Sequence, residues 1–422
     1  MRLIVKFGGT AIKNPARIKK AANFIKRMVD AGNEVVAVVS APGDTTNRLI
    51  NLGSNFQKER SFSQEFLSLL YQGEEQSTIL LTLALNAIGQ PARAITLHCP
   101  EWPLISENLT AGPVFLSREK SNDIENIKID ERRTKKKFAT EIEPLIKRGI
   151  VPVISGFFIR SRSGAIVSLG RGGSDITAFL VAAYLNGDEV LIVTDVAGVY
   201  TADPKTVANS LLLKEISADE ITLLSIAGAR VLHPNALRFK DKNTTSRIVN
   251  FKDLNKLQLK GTKIGGAAKT KIIAGPAKLM MVTLIGKNLS QKSILLPRLF
   301  TLTSAKGIAI HSMSQSDSFI NLYLNEEAGK KIYPAIHDAF IRKEKLLTGI
   351  SSIKPIAELI VRNYLFIESP GVIAVISQIL SKNNINIIEM ITSHTDVIIY
   401  VKSEMLSPAI ELLKASLKIK DA

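Results

Sequence analysis

Short apolar runs that each break into a polar loop set the fold of this chain. Leu3-Ile4-Val5 leads into Lys6-Phe7-Gly8-Gly9-Thr10, Glu34 to Val39 into the loop Ser40 to Asn47, and Val190 to Val193 into Thr194-Asp195. Val151 to Ile154 ends in the same way, and Ile166 to Leu169 returns from a turn at Ser161 to Gly164 as a hairpin. Helical patterns lie between the runs. Asn14 caps a helix with Pro15 in its first turn, Ile18, Ala22, Ile25 and Val29 make one apolar face, and Gly32 ends it. Ser77 to Ile88 reads as a helix stopped by Gly89, and Ser174 to Leu185 as one closed by Gly187. Strands alternating with helices predict a mainly parallel sheet with helices on both faces. Ligands bind such sheets beyond the carboxyl ends of the strands, where all of these polar loops fall.

Two of the loops carry recognisable chemistry. Leu169-Gly170-Arg171-Gly172-Gly173-Ser174-Asp175 combines three glycines with a cation, a hydroxyl and a carboxylate at a helix start. The glycines leave the backbone open to a ligand, and the helix start offers N–H groups to an anion. Lys6 stands at a strand end beside the Gly8-Gly9 turn, whose N–H groups can contact phosphate oxygens. Taken singly, Lys6 reads better as a solvated strand-end lysine, and the neighbouring motifs favour the functional role.

Composition excludes several classes. The 422 residues are 45% hydrophobic and 22% charged, an ordinary globular balance with room for two or three domains. A single cysteine, Cys99, excludes a disulfide framework and points to a reducing compartment. The five histidines are scattered, so no zinc site is expected and no metal ligand is directly assigned. Met1 to Phe7 is charged and runs into glycines, unlike a signal peptide, and no apolar run is long enough to cross a bilayer. A soluble, cytoplasmic protein with no membrane partner is the expectation. The net charge of +17 fits nucleic-acid binding or, equally, a basic background with phosphate-bearing substrates. The densest basic block, Arg132-Arg133-Thr134-Lys135-Lys136-Lys137, follows an acidic stretch and has no aromatic before Phe138. It reads as a solvated helix face, with no nucleic-acid partner.

The pattern changes after Gly261 to Gly266. Strands at Met281 to Ile285, Ile308 to Met313 and Phe319 to Leu324 surround a helix near Pro297 to Thr303. Strands at Ile356 to Val361, Ile385 to Ile391 and Asp396 to Val401 surround a helix at Val372 to Ser381, and Pro408 to Leu417 closes the chain as a helix. Two similar units predict an internal duplication of ferredoxin-like type, with a linker near Lys343 to Lys354.

Read in order, five motifs resemble aspartate kinases: Lys6 to Thr10; Val38-Val39-Ser40-Ala41 with Gly43 to Thr46; Gly170 to Asp175; Thr194 to Pro204; and Gly228 to Pro234. The resemblance spans the whole chain, because the tail resembles tandem ACT domains, most clearly at Glu368-Ser369-Pro370-Gly371-Val372. It implies an α/β amino-acid kinase fold, an αβα sandwich over residues 1–265, followed by two βαββαβ ACT domains at 278–345 and 354–422. The implied reaction is phosphorylation of the side-chain carboxylate of L-aspartate by ATP with Mg²⁺, in a homo-oligomer feedback-regulated by lysine or threonine. A substrate carboxylate, with a pKa of about 4, is already ionised at neutral pH and needs no general base. The protein must neutralise phosphate charge and align the reactants.

The resemblance assigns Lys6 and Asp175 to catalysis, and Thr46, Glu74, Phe157, Arg171 and Ser174 to the amino acid. Arg171 would grip a carboxylate by its fork, Glu74 would pair with the α-ammonium group, and Asp175 would orient phosphates through Mg²⁺. A plain reading of Glu74 is a helix-start carboxylate favoured by the dipole. Lys6, Gly8, Gly9, Thr10, Ser40, Thr194, Asp195, Tyr200, Lys205 and Arg230 would serve the nucleotide, although Tyr200 also suits a half-buried loop aromatic. An effector would meet Ser312, Ser314, Gln315, Ser369, Pro370, Gly371 and Val372, where edge-strand serines are an equal reading. Ala11 stands where the family usually has serine, Pro42 where it has methionine, Lys205 where it has arginine and Arg230 where it has lysine. Two rival readings follow: a kinase for another amino acid, which need not keep Glu74, and a non-catalytic sensor whose kinase domain has decayed.

Overall fold

The computed structural model describes residues 1–56, 63–107, 128–170, 172–226, 232–241, 243–256, 259–266, 271–363 and 371–417. The chain divides into two compact units, Met1–Lys269 and Thr270–Ala422.

The first unit contains strands β1 (Arg2–Phe7), β2 (Glu34–Val39), β3 (Ala92–Ile95), β4 (Ile105–Ser106), β5 (Val151–Ser155) and β6 (Phe158–Ser161). It continues with β7 (Ile166–Ser168), β8 (Glu189–Thr194), β9 (Glu215–Ser217), β10 (Thr245–Asn250) and β11 (Gly261–Gly265). Eight of them form one sheet in the order β3-β5-β2-β1-β8-β10-β11-β9. From β3 to β10 every neighbour runs parallel, so their carboxyl ends share one edge. The polar loops therefore converge there, as the alternating pattern predicts. Strands β6 and β7 form the antiparallel hairpin read from the Ser161 to Gly164 turn.

The helix Pro15–Asp30 starts at Asn14, whose side chain accepts from the Arg17 N–H at 3.0 Å. Its Ile18, Ala22 and Ile25 join Leu3, Val5, Phe7, Val35, Val39, Val153 and Val193 in one core, with Leu81 and Leu85 of a second helix. Each such aliphatic side chain contributes roughly 1.5–3 kcal/mol when fully buried. The second helix runs from Gln64 to Ala87, more than three turns longer at its start than the Ser77 to Ile88 pattern indicates. Ser63 caps it by accepting from the Phe66 N–H, and burial holds the less periodic first half in place. The helix Gly173–Leu185 is buried along nearly its whole length. It ends at Asn186, in the left-handed region at φ 52°, rather than at Gly187. Gly187 is needed for close approach instead, because a Cβ there would lie 3.1 Å from Ile4.

The second unit contains β12 (Lys271–Ala274), β13 (Leu279–Ile285), β14 (Ser312–Gln315), β15 (Phe319–Asn325), β16 (Gly349–Arg362), β17 (Glu389–Thr392) and β18 (Asp396–Lys402). They form one sheet in the order β14-β15-β13-β16-β18-β17, with β12 also on β16. Two strand–helix–strand–strand–helix halves are present, and each borrows a strand. Residues 349–353 of β16, within the expected linker, pair with β13 of the first half. The second half takes β12 from a point in the chain before the first half begins. Half of the expected linker is therefore strand, and β16 serves both halves. Two helix-facing cores follow, one around Val282, Leu299, Leu322 and Ile332, the other around Leu359, Ile376, Ile399 and Leu413.

Candidate active site

Alternation along β1 decides where Lys6 points. Val5 and Phe7 enter the core shared with the Pro15–Asp30 helix, so Lys6 takes the opposite face. There it meets the first turn of the Gly173–Leu185 helix. Its Nζ lies 2.6 Å from Oδ1 of Asp175, and both side chains are about nine-tenths buried. The pair joins the two glycine turns, the first at the end of β1 and the second before that helix.

A cavity of about 250 Å³ opens beside this pair. Lys6, Gly9, Ser40, Thr46, Glu74, Phe157, Ser174 and Asp175 all line it, together with Ala41, Gly43, Gly172 and Gly173. The last four were not singled out as site residues from the sequence. The glycines among them are close-approach positions. A Cβ on Gly9 would lie 2.5 Å from the Ala41 carbonyl oxygen, and one on Gly173 would lie 2.8 Å from the Phe157 ring. Gly172 has φ 73°, and a Cβ there would lie 2.4 Å from Cβ of His233, which brings the end of the Gly228 to Pro234 motif against the glycine turn. Phe157 itself holds φ 72°, fixed by its N–H donating to Thr177 Oγ1 and its carbonyl accepting from Leu169.

Glu74 is the unusual group. It lies in the interior of the Gln64–Ala87 helix, so the helix-start reading of it does not hold. Gly73 lets this helix approach the loop after β2, since a Cβ there would lie 2.9 Å from Ala41. Glu74 is 3% exposed, and its Oε2 has no hydrogen-bond partner among the described residues. Burial pushes its carboxyl up to about 8, against the pull of the Ala41 backbone N–H and the Lys6 ammonium.

The remaining site residues are distributed differently. The Gly8 N–H donates to the Val193 carbonyl at 3.1 Å, so it is committed to the sheet edge rather than presented to a phosphate. Thr194 ends β8, Asp195, Tyr200 and Lys205 lie in the segment after it, and none of the four lines the cavity. Tyr200 is half-buried and bridges Leu212, and Lys205 is exposed, its N–H donating to Asp203. Arg17, absent from the sequence reading, ties that segment to the first turn. Its Nη1 donates to the Thr10 carbonyl at 2.8 Å and to Asp195 Oδ1 at 2.7 Å, and its guanidinium sits 4.6 Å from the Phe251 ring centre. No motif marks Arg17, because only the fold brings positions 10, 17, 195 and 251 together. Arg171 and Arg230 lie outside the described residues.

In the second unit, Ser314 Oγ accepts from Asn321 and Ser312 contacts the Tyr400 hydroxyl. Gln315 ends β14, exposed. Gly371, at φ 89°, precedes the helix Val372–Lys382. Ser369 and Pro370 lie outside the described residues. Among the described residues there is no cluster of three or more metal-ligating side chains, and no helix is long and apolar enough to cross a membrane.

A parallel sheet whose ligand edge gathers a strand-end lysine and two glycine turns is the architecture of the amino-acid kinase fold. The amino acid kinase family profile matches residues 1–250, and an ACT domain profile matches residues 356–415. An aspartokinase of Bacillus sp. (strain MGA3) is 30% identical over 99% of this chain and 98% of its own length. One from Geobacillus stearothermophilus is 37% identical over 56% of this chain and 53% of its own length. The crystal structure of aspartate kinase from Synechocystis is 25% identical, with a TM-score of 0.78 over 100% of this chain and 70% of that one. The chain belongs to the aspartokinases within the amino acid kinase family. Its matches to several curated relatives span only 53% to 62% of their length.

Proposed function

We propose that this chain is an aspartate kinase, transferring a phosphoryl group from ATP to the side-chain carboxylate of L-aspartate to give 4-phospho-L-aspartate. The observation that carries the reading is Glu74, a buried carboxylate with an unpartnered oxygen, facing a cavity that also holds the Lys6–Asp175 pair. A free α-ammonium group is the ligand that would satisfy it. An N-acylated amino acid offers no such charge, which disfavours that part of the rival substrate class.

The division of labour follows from chemistry. Asp175 would hold the Lys6 ammonium at the strand end, where it stabilises charge developing on the transferred phosphoryl group. Ser174 and the Gly172-Gly173 backbone would orient the amino acid at the helix start. Arg171 would pair with its α-carboxylate. Thr46 and Phe157 would close the cavity around it. Mg²⁺ fits a site with one carboxylate, Asp175, because it keeps several waters and phosphate oxygens as ligands, and it would supply further neutralisation of phosphate charge. Arg17, through Asp195 and Thr10, would keep the proposed nucleotide segment in register with the first turn. Lysine or threonine acting on the ACT unit, a homo-oligomer and a cytoplasmic location complete the proposal.

Acyl phosphate formation, trapped as hydroxamate with ATP and a panel of amino acids, tests the reading. Product with aspartate, suppressed by lysine or threonine, is the expected result. No acyl phosphate from any amino acid would favour the sensor reading instead.

A further inference from the structure

The basic block Arg132 to Lys137 is not merely a solvated face. It forms the helix Glu131–Lys137, in which Arg132, Arg133, Lys135 and Lys136 are exposed and Lys137 is half-buried, and positions 133 and 137, one turn apart, turn to the same side. Arg133 and Lys137 line a cavity of about 350 Å³ opposite Arg160 and Arg162 of the β6–β7 hairpin. Four cationic side chains from two elements thus surround one space, and among the described residues no carboxylate lines it.

Arg160, Arg162 and Lys137 have anchored head groups, and that of Arg133 is held more loosely, its Nε 3.6 Å from Asp130. Asp130, 4% exposed, accepts from Arg162 Nε at 2.7 Å and from the Arg133 N–H at 3.0 Å. Arg162 also reaches Glu107 at 3.2 Å. Lys137 Nζ donates to the Pro100 carbonyl at 2.7 Å and lies 3.5 Å from Glu141, and Arg160 donates to the Leu97 carbonyl. A guanidinium carries five N–H donors, and these contacts engage only some of them. The Ser161 and Ser163 hydroxyls, 2.9 Å apart, add donors at the hairpin turn. Pro100, Trp102 and Ile105 supply an apolar wall.

The geometry points to a binding site for a small anion with two adjacent phosphate-type groups, separate from the candidate active site. Forked donors, with no lining carboxylate among the described residues, match phosphate oxygens, and a space of about 350 Å³ accommodates a small anion. The site uses no residue of the proposed kinase centre, and only the ADP block and the activity control below rest on that reading.

Pyrophosphate is the probe. It is titrated calorimetrically into the full chain with saturating ADP, so that the other phosphate-binding region is occupied. Trp102, the one tryptophan in the chain, gives a parallel fluorescence signal from within this cavity. The expected result is saturable binding that weakens about tenfold for each head group removed in Arg133→Gln/Lys137→Gln, with hydroxamate production unchanged. Both substituted side chains are partly exposed, and an unchanged circular dichroism spectrum confirms folding. Inorganic phosphate binds more weakly, because it reaches fewer head groups. Absence of saturable binding, equal affinity in the double variant, or equal affinity for inorganic phosphate would overturn the proposal.

Discussion

Each unit of this protein buries a glutamate, and the two are treated in opposite ways. Glu358 on β16 is 4% exposed and its Oε2 is held twice: the Tyr400 hydroxyl donates to it at 2.8 Å and His311 Nε2 lies 3.0 Å away. Tyr400 in turn stacks on Tyr323, whose hydroxyl donates to Glu389. Glu74 is as deeply buried, yet one of its oxygens has no partner among the described residues. A satisfied buried carboxylate is architecture; an unsatisfied one costs stability and is retained where a ligand completes it.

Experiments can break this contrast. The largest effect is expected at the phosphoryl end of the cavity that contains Glu74. Lys6→Ala should lower turnover by on the order of 10² to 10³-fold with the fold intact, measured by hydroxamate production. A near-normal rate would remove Lys6 from the mechanism. Glu74→Gln should raise the aspartate KM by about 10- to 100-fold with a smaller change in kcat. An unchanged KM would end the role of Glu74.

The same glutamate makes a pH prediction. Its folded-state value of about 8 lies above the ordinary carboxylate value of 4.5, so between these the folded state binds more protons than the unfolded state. Stability should therefore fall as pH rises from 4.5 towards 8, and the Tm gap between Glu74→Gln and the native chain should widen over that window. Aspartate should release a proton on binding below pH 8, seen as a buffer-dependent enthalpy that disappears in Glu74→Gln.

Glu358→Gln should behave otherwise. It weakens the contacts of Oε2 with Tyr400 and His311 and should cost about 1–3 kcal/mol of stability, while effector-free turnover stays within about twofold. A large loss of turnover without loss of stability would show that the two glutamates are not so different. The smallest change is expected from Ala11→Ser. Ala11 is fully buried, and a restored hydroxyl hydrogen bond of about 1 kcal/mol would alter turnover by no more than several-fold in steady-state kinetics.

Much of the site was legible because it is local. Lys6 with Gly8-Gly9 and Ser174-Asp175 with its glycines sit at strand and helix ends, where short patterns carry meaning. Glu74 was legible only by resemblance, since Gly-Glu-Glu-Gln inside a long helix looks like any surface turn. Gly73 matters because of what it touches, Ala41 and Thr45, and these lie about thirty residues away. The Gly8 N–H looked available from its turn, and a carbonyl from β8 takes it. The basic block read as a solvated face because sequence places its charges without the hairpin that faces two of them.

By itself the sequence determined the alternation of strands and helices, the edge on which the loops gather and the identity of the charged groups there. Those follow from periodicity and backbone chemistry, which act over a few residues. The tertiary structure alone decided that Lys6 meets Asp175, that Glu74 is buried with an unpartnered oxygen, and that β16 is shared between two halves. It also decided that four cations converge on one cavity. Burial, strand exchange and charge convergence are properties of packing between distant segments, and no local pattern encodes which segment will arrive.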